Sequence, residues 1–211
     1  MGTYSKGILG SFTGKVGTVI GSSWNGVDYM RSLPRPSSKA PTAAQLLQRE
    51  KFGLVTKFVA PIKSLLNIGY KNAAVNKTGV NAAVAEIIEN ALTASTPYEI
   101  DYEKMLFSKG SLTGGLNGAA SGGIASVTVT WNDNTDSGNA AATDRSLILV
   151  YNPAKSQYVY TIVGSPRSEE AYTLPLPTSF AGNTVHTWLA FITSDQRLVS
   201  TSTYTGTAII S

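Results

Sequence analysis

The pattern of hydrophobic and polar positions differs between segments of this chain of 211 residues. The first clear pattern along the chain is typical of β-strands. Residues 14–33 form two β-type runs on either side of Asn25-Gly26. This dipeptide is the strongest short-range signal of a β-hairpin, because both residues readily adopt the positive φ angles of a type I′ turn. The returning strand alternates, and one of its faces carries Val27, Tyr29 and Arg31. The pattern therefore predicts a β-hairpin over residues 14–33 with two distinguishable faces.

Two glycines interrupt the first strand of this predicted hairpin. Gly17 and Gly21 disfavour a regular strand, and such glycines mark bulges or places where another backbone approaches closely. Two interpretations remain open at this point. The glycines either allow a second chain to pack against the strand, or they make the segment a flexible arm.

Residues 34–41 are rich in proline and basic side chains and predict a stiff linker without regular structure. Helical periodicity follows. Thr42 and Gln45 match a capping box, in which the hydroxyl and the amide bind the free N–H groups of a helix start. The apolar stripe behind this cap consists of Leu47, Leu54, Val55, Phe58 and Val59. Pro61 is expected to kink or end this helix, and Gly69 to stop its continuation.

A second helical stripe lies further along the chain and consists of Val84, Ile87, Ile88 and Ala91. Its spacing of three and four residues is typical of an amphipathic helix. The two patterns together predict helices over residues of about 43–68 and 80–94. We expect both stripes to face a core.

From residue 105 onwards the pattern is one of short β-strands separated by Gly, Pro, Asn and Asp. The predicted strands are 105–112, 124–131, 145–151, 158–163, 171–174, 184–193 and 197–204. Seven short strands at regular spacing favour an antiparallel β-sandwich, in which we expect Trp131 and Trp188 to be buried. The sequence therefore predicts an α+β protein with a basic N-terminal region, residues 1–104, and a β-sandwich domain, residues 105–211.

The composition excludes much catalytic chemistry. Only 14% of the residues are charged, and the chain has no cysteine and one histidine. His186 lacks the context of a catalytic triad, and the loop 133–138 lacks the spacing of a calcium loop. Glu169 and Glu170 are adjacent, so a strand would point them to opposite faces. We therefore predict a protein that is not an enzyme, with no catalytic, cofactor-binding or metal-binding residues and no small-molecule substrate.

Charge is unevenly distributed along the chain. Residues 1–80 contain 11 basic and 2 acidic residues, a net charge of +9, whereas residues 81–211 contain 6 basic and 11 acidic residues, a net charge of −5. The basic region could neutralise phosphates, meet the acidic region of a neighbouring copy, or simply be solvated. The candidate contact residues for a partner or for nucleic acid are Trp24, Tyr29, Arg31, Arg35, Lys39, Arg49 and Lys57. Alternatively, Trp24 and Tyr29 are only cross-strand partners that stabilise the hairpin.

Two resemblances add to this picture. Residues 124–204 resemble a fibronectin type III or immunoglobulin-like sandwich, through a strand that ends in Trp131, a strand over 147–151 and the late pair 188–191 and 197–204. The whole chain is similar to an uncharacterised family of about this length from bacterial genomes. The segments that carry this second resemblance are 6–10, 14–24, 29–34, 42–45, 48–49 and 51–52. The N-terminal motif is similar to one in phage-associated proteins, and the family implies no catalytic positions.

These observations lead to one functional hypothesis and an alternative. We expect a structural protein that self-assembles as a homo-oligomer, for instance in a virion or a filament. The alternative is a nucleic-acid-binding protein that uses residues 1–80. No stretch is apolar enough to span a membrane, and no signal peptide is recognisable, so we expect synthesis in a cytoplasm without export. The missing signal peptide also disfavours an extracellular adhesin.

Overall fold

A computed structural model of the protein describes residues 2–4, 10–24, 26–35, 39–74 and 76–211. Asn25 of the predicted turn, residues 36–38 of the predicted linker and residues 6–9 of the N-terminal motif lie outside the described residues. The chain divides into two compact units, Met1–Leu46 and Leu47–Ser211. The sequence pattern predicts a domain boundary between residues 104 and 105, whereas in the structure the helical residues from Leu47 onwards and the sandwich belong to one unit.

The first unit contains one antiparallel sheet with the strand order β1-β2-β3-β4. The strands are β1 (Thr3–Tyr4), β2 (Phe12–Val16), β3 (Val19–Trp24) and β4 (Val27–Ser32). The prediction of a single hairpin over 14–33 is wrong in its first half. The chain turns at Gly17, whose φ of 59° is the positive value that the first position of a type II′ turn requires, so that one predicted strand is two. The return from β3 to β4 is as predicted, with Gly26 at a φ of 80°.

Three α-helices follow the sheet: α1 (Ala43–Val59), α2 (Lys63–Gly69) and α3 (Gly79–Asn90). The predicted capping box is present, because the Thr42 N–H donates to Gln45 Oε1 at 3.1 Å and the Gln45 N–H donates to the Thr42 hydroxyl at 3.3 Å. A short 3₁₀ turn that contains Pro61 separates α1 from α2. The Thr78 hydroxyl caps α3 by accepting a hydrogen bond from the Asn81 N–H. Both predicted helical segments are therefore confirmed.

Seven strands form the predicted β-sandwich. They are β5 (Leu116–Gly123), β6 (Ser126–Asn132), β7 (Arg145–Asn152), β8 (Gln157–Thr161), β9 (Ala171–Pro175), β10 (Thr184–Ile192) and β11 (Thr203–Ile209). One sheet has the order β5-β6-β9 and the other the order β11-β10-β7-β8, and all neighbours are antiparallel. Two antiparallel sheets with crossing connections are the architecture of fibronectin type III and immunoglobulin-like domains. The α+β fold class is confirmed.

Two of the seven predicted strands were misplaced. Residues 105–112 contribute only isolated bridges from Ser111 and Leu112 to Ser200, and the first strand of the sandwich is instead the small-residue segment β5. A Cβ at Gly122 in β5 would overlap the backbone carbonyl oxygen of Ile209 in β11, so this strand needs residues that sequence reasoning assigns to loops. The last strand is β11 rather than 197–204.

Strands β7 and β10 lie in the middle of the unit and are buried on both faces. On one face, Leu147 and Leu149 of β7 belong to a core that the sheet shares with the helices. On the other face, Ile148 and Val150 belong to the core between the two sheets. The helix-side core includes Val55, Val59, Ile62, Leu65, Leu66, Ala83, Ile87, Met105 and Phe107. The unit is thus three layers deep: helices, four-stranded sheet and three-stranded sheet.

Both predicted core tryptophans are buried, but they face different cores. Trp131 lies between the two sheets, as predicted, and its Nε1 donates to the carbonyl oxygen of Arg167 at 2.8 Å. Trp188 faces the helices rather than the sandwich interior, and its Nε1 donates to the carbonyl oxygen of Tyr102 at 3.0 Å. Leu47 of the predicted helical stripe is 41% exposed and does not reach a core.

A buried ion pair lies at one end of the sandwich. Arg167 and Asp144 have side chains that are 0% and 2% exposed, and Nη2 lies 3.1 Å from Oδ2. The same guanidinium donates to the carbonyl oxygens of Thr113 and Gly114 and to Asn134 Oδ1, and it lies 4.0 Å above the ring centroid of Phe191. One side chain therefore joins three loops and the inter-sheet core. Burial lowers the pKa of Arg167, but the paired carboxylate favours its charged form.

The shared core makes a prediction about fragments of this chain. Residues 105–211 alone would expose Leu147, Leu149 and Trp188, and each large apolar side chain contributes about 1.5–3 kcal/mol when buried. The summed loss is comparable with the whole stability of an ordinary domain. We expect residues 47–211 to unfold cooperatively in a thermal melt followed by circular dichroism, and residues 105–211 not to do so. Equal melting temperatures for the two fragments would contradict the shared core.

The buried pair predicts a large loss of stability on substitution. Replacing Arg167 with Met leaves the Asp144 carboxylate buried without its partner, which costs about 3–5 kcal/mol. Arg197→Met is the matched control, because the pair of Arg197 and Asp195 has side chains that are 84% and 54% exposed, and an ion pair in water contributes little to stability. Urea unfolding of both variants measures the difference. Similar losses of unfolding free energy in the two variants would contradict a stabilising role of the buried Arg167–Asp144 pair.

Candidate functional site

The register of the N-terminal sheet brings aromatic and cationic side chains to one face. Lys15 of β2 pairs with Ile20 of β3, and Ile20 pairs with Arg31 of β4. The next rows are Ser22 with Tyr29 and Trp24 with Val27. Directly opposite residues point to the same side of a sheet, as do alternate residues along a strand. We call this surface the aromatic–cationic face; it consists of Lys15, Ile20, Ser22, Trp24, Val27, Tyr29 and Arg31.

This face is open to solvent. Trp24 is 51% exposed and Tyr29 is 43% exposed, and the side chains of Lys15 and Arg31 are also exposed. Asp28 is the single acidic residue in the sequence of the Met1–Leu46 unit, and it lies on the opposite side of β4. The aromatic–cationic face therefore presents two cations and two large aromatic rings without an anion among its seven residues.

The opposite side of the sheet has different chemistry. We call it the aliphatic face; it consists of Phe12, Gly14, Val16, Val19, Gly21, Ser23, Asp28, Met30 and Ser32. Met30 is 71% exposed. A surface depression of about 840 Å³ is lined by residues that include Val19, Met30, Leu33 and Arg35. The aliphatic face thus combines exposed apolar side chains with a cation at its margin.

The sheet has no core of its own. None of the described residues of the Met1–Leu46 unit belongs to either hydrophobic core of the protein. A sheet of this size normally needs an apolar face packed against another element for its stability. Exposed apolar side chains that lie together mark surfaces for partners. This sheet is therefore the candidate interaction surface of the chain.

The predicted contact residues divide between this surface and other places. Trp24, Tyr29 and Arg31 are brought together on one face. The register places Trp24 opposite Val27 and Tyr29 opposite Ser22, so Trp24 and Tyr29 are diagonal neighbours on adjacent strands. Arg35 and Lys39 are exposed beyond the end of β4.

Arg49 and Lys57 lie on α1 and are not part of the sheet. Lys57 instead lines a pocket of about 370 Å³ with Phe58, Tyr151 and Tyr158. Sequence reasoning missed Lys15 as a member of the face, because only the turn at Gly17 brings β2 beside β3. The signal that could have found it is the positive φ typical of glycine in two-residue turns.

The two predicted close-packing glycines have different roles. A Cβ at Gly17 would meet no atom within 4 Å, so this glycine provides a turn and not a place of close approach. A Cβ at Gly21 would overlap the carbonyl oxygen and the ring of Phe12. Gly21 is therefore a close-packing glycine, but the backbone that approaches it belongs to the same chain.

An exposed acidic cluster lies at one end of the sandwich in the Leu47–Ser211 unit. We use this name for Asp133, Asp136, Glu169 and Glu170, the four exposed acidic residues of two neighbouring loops. The two loops that carry it are joined by a hydrogen bond from the Asp133 N–H to Glu170 Oε1, at 2.9 Å. Hydrogen bonds from Thr135 lower the pKa of Asp133, which keeps this carboxylate charged. Among the described residues, no group of three or more His, Cys, Asp or Glu side chains is arranged to hold a metal ion.

His186 lies in an aromatic environment on the helix side of β10. Its Nδ1 lies 2.8 Å from the hydroxyl of Tyr204, and its ring centroid lies 4.2 Å from that of Tyr102. Burial lowers the pKa of His186 below its ordinary value of 6.5. The imidazole therefore favours its neutral form, packs at a tilt against the Tyr102 ring and is hydrogen-bonded to Tyr204.

Almost the whole chain matches one known protein family. The model of a family described as a family of unknown function, DUF6266, matches residues 11–206. A search of the curated proteins found no match. No helix in the described part of the chain is long and apolar enough to cross a membrane.

The environment of His186 predicts a specific pH dependence of stability. Because the pKa of the folded state lies below about 6.5, the unfolded state binds more protons as the pH falls through that value. The free energy of unfolding should therefore decrease from pH 6.5 downwards until the folded-state pKa is reached. His186 is the single histidine of the chain, so His186→Gln should remove this slope in urea titrations. Tyr204→Phe should retain it, since burial and not the hydroxyl causes the shift. Equal slopes for the wild type and His186→Gln would contradict the assignment.

Proposed function

We propose that this chain, which belongs to the family of unknown function DUF6266, is a non-enzymatic structural protein that self-assembles through its Met1–Leu46 unit. The observation that carries the proposal is the N-terminal sheet with two exposed faces and no hydrophobic core of its own. Such a sheet gains stability when a partner covers its apolar side chains. Assemblies of the virion or filament type use contacts of this kind between copies.

Charge supports a second copy of the chain as that partner. The Met1–Leu46 unit contains five basic residues and one acidic residue, a net charge of +4, whereas the Leu47–Ser211 unit contains 12 of each and concentrates its acidic residues in 81–211. The acidic cluster at the end of the sandwich is exposed and offers the complementary surface. Opposite potentials on two parts of one chain favour a contact between different surfaces of neighbouring copies. Contacts of this head-to-tail type close into rings or continue as filaments.

The contact in the proposed assembly combines apolar and ionic parts. Met30, Val19 and Leu33 around the depression on the aliphatic face supply the apolar part, and Arg35 at its margin supplies a cation. Glu169 of the neighbouring copy supplies the anion. Its carboxylate is exposed at the end of the sandwich, on the short 3₁₀ turn that follows Pro166. The apolar part provides affinity, and the ionic part fixes which surfaces meet.

A charge-reversal series tests this assembly. At low salt and micromolar concentration, light scattering after size exclusion should give the wild type a mass well above the 22.2 kDa of one chain. Arg35→Glu and Glu169→Lys should each weaken assembly at least about tenfold, because attraction becomes repulsion. The double variant Arg35→Glu/Glu169→Lys should regain assembly.

Two controls separate this contact from other effects. Lys155→Glu makes the same change of net charge at an exposed cation in the turn between β7 and β8, and it should leave the mass unchanged. Added nuclease should change nothing, since protein surfaces hold the copies together. A wild-type mass of one chain at low salt would overturn the proposal. So would a double variant that stays as weak as its parents.

A further inference from the structure

We propose that the aromatic–cationic face of β2, β3 and β4 binds single-stranded nucleic acid. The proposal rests on a juxtaposition that the strand register creates: Lys15 and Arg31 in one row, Tyr29 in the next and Trp24 in the third. It uses the opposite face of the sheet from self-assembly, which we assign to the aliphatic face; Arg31 is the one residue of this face that also lines the depression there.

The cationic row fits a phosphate backbone. Lys15 and Arg31 flank Ile20 on neighbouring strands, and both side chains are exposed. Strands lie about 4.8 Å apart, so the two cations extend across roughly 10 Å of the sheet. Asp28 points to the other face, and no anion within the seven residues competes for the two cations. An incoming strand can therefore place phosphates on this row and release condensed counterions.

The aromatic rows fit unpaired bases. Rows on one face of a sheet follow each other at about 6.8 Å, which is two residues of a strand. Tyr29 and Trp24 thus present half-exposed rings at successive steps away from the cations. Base–aromatic stacking needs no particular base, because every base has a π-face. An acidic peptide would use the cations but would leave both rings without a stacking partner, so the arrangement favours nucleic acid.

Single strands are favoured over duplexes by the same geometry. The bases of a duplex are already stacked on one another and are not available to rings on a sheet surface. A duplex could meet Lys15 and Arg31 only through its phosphates. The affinity for single strands should therefore exceed that for duplexes of the same length.

The three tryptophans provide a direct test in the full chain. Trp131 and Trp188 are buried, whereas Trp24 is exposed, so added ligand should change chiefly the emission of Trp24. Oligo(dT) of about 12 nucleotides, a length within the range that one binding module covers, should quench this emission. Affinity should fall about sevenfold between about 50 and 200 mM salt, as expected for two neutralised phosphates of a single strand. Heparin and poly-L-glutamate serve as anionic probes without bases.

Variants separate stacking from charge. With a fluorescently labelled oligo(dT), anisotropy should show an affinity loss of at least about fivefold for Trp24→Ala, as stacking predicts, whereas Trp24→Tyr should retain most of the affinity. Arg31→Ala should weaken binding and flatten the salt dependence. Ile124→Ala is the matched control, since Ile124 is an exposed apolar residue in the turn between β5 and β6, and it should bind as the wild type does.

Several results would overturn the proposal. These are an unchanged Trp24 emission at saturating oligo(dT), equal affinity for a duplex or for poly-L-glutamate, and equal losses for Trp24→Ala and Ile124→Ala. Light scattering of the same samples keeps the two proposals apart. A monomeric protein that binds oligo(dT) contradicts self-assembly alone, and an assembled protein that ignores oligo(dT) contradicts the nucleic-acid site alone.

Discussion

The central constraint on this structure is that β7 and β10 are buried on both faces. Leu147 and Leu149 face the helices while Ile148 and Val150 face the second sheet, so a continuous apolar run replaces the usual alternation. Each layer contributes one side of this arrangement. The helices cover one face, the β5-β6-β9 sheet covers the other, and neither layer has a second core to pack against. The Leu47–Ser211 unit therefore depends on this pair of strands.

At one end of this three-layer unit, the loops must be fixed in place while the core between the two sheets stays covered. Arg167 does this by binding Asp144, Asn134 and two backbone carbonyl oxygens at once while its guanidinium covers the ring of Phe191. The loops fixed in this way include those that carry the acidic cluster. A buried structural pair thus positions exposed carboxylates, which links the stability of the sandwich to the surface that we propose for assembly.

The Met1–Leu46 unit differs, because none of its described residues belongs to a hydrophobic core. Its side chains are distributed by register over two exposed faces, one aromatic and cationic and the other aliphatic. Since none of the described residues of either face belongs to a hydrophobic core, packing in the cores does not account for their chemistry. Two faces of one sheet can serve two partners without competition, provided that the partners differ as much as a phosphate backbone and an apolar protein surface do.

Elements with a local signal can be predicted from the residue pattern. The capping box at Thr42, the helical stripes, the turn at Gly26 and most strands of the sandwich depend on neighbouring residues, and so did the aromatic and basic residue types of the candidate site. Other features depend on residues that are distant in the chain and become visible in the folded protein. Strand β5 consists of small residues because β11 approaches it at Gly122, and Trp188 faces the helices because they cover that side of β10. Lys15 joins Arg31 only because the chain turns at Gly17 and sets three strands in register. The preference for a helix, strand or turn depends on a few adjacent residues. The close approach of two strands, the core that a side chain faces and the strand register depend on segments that are far apart in the chain.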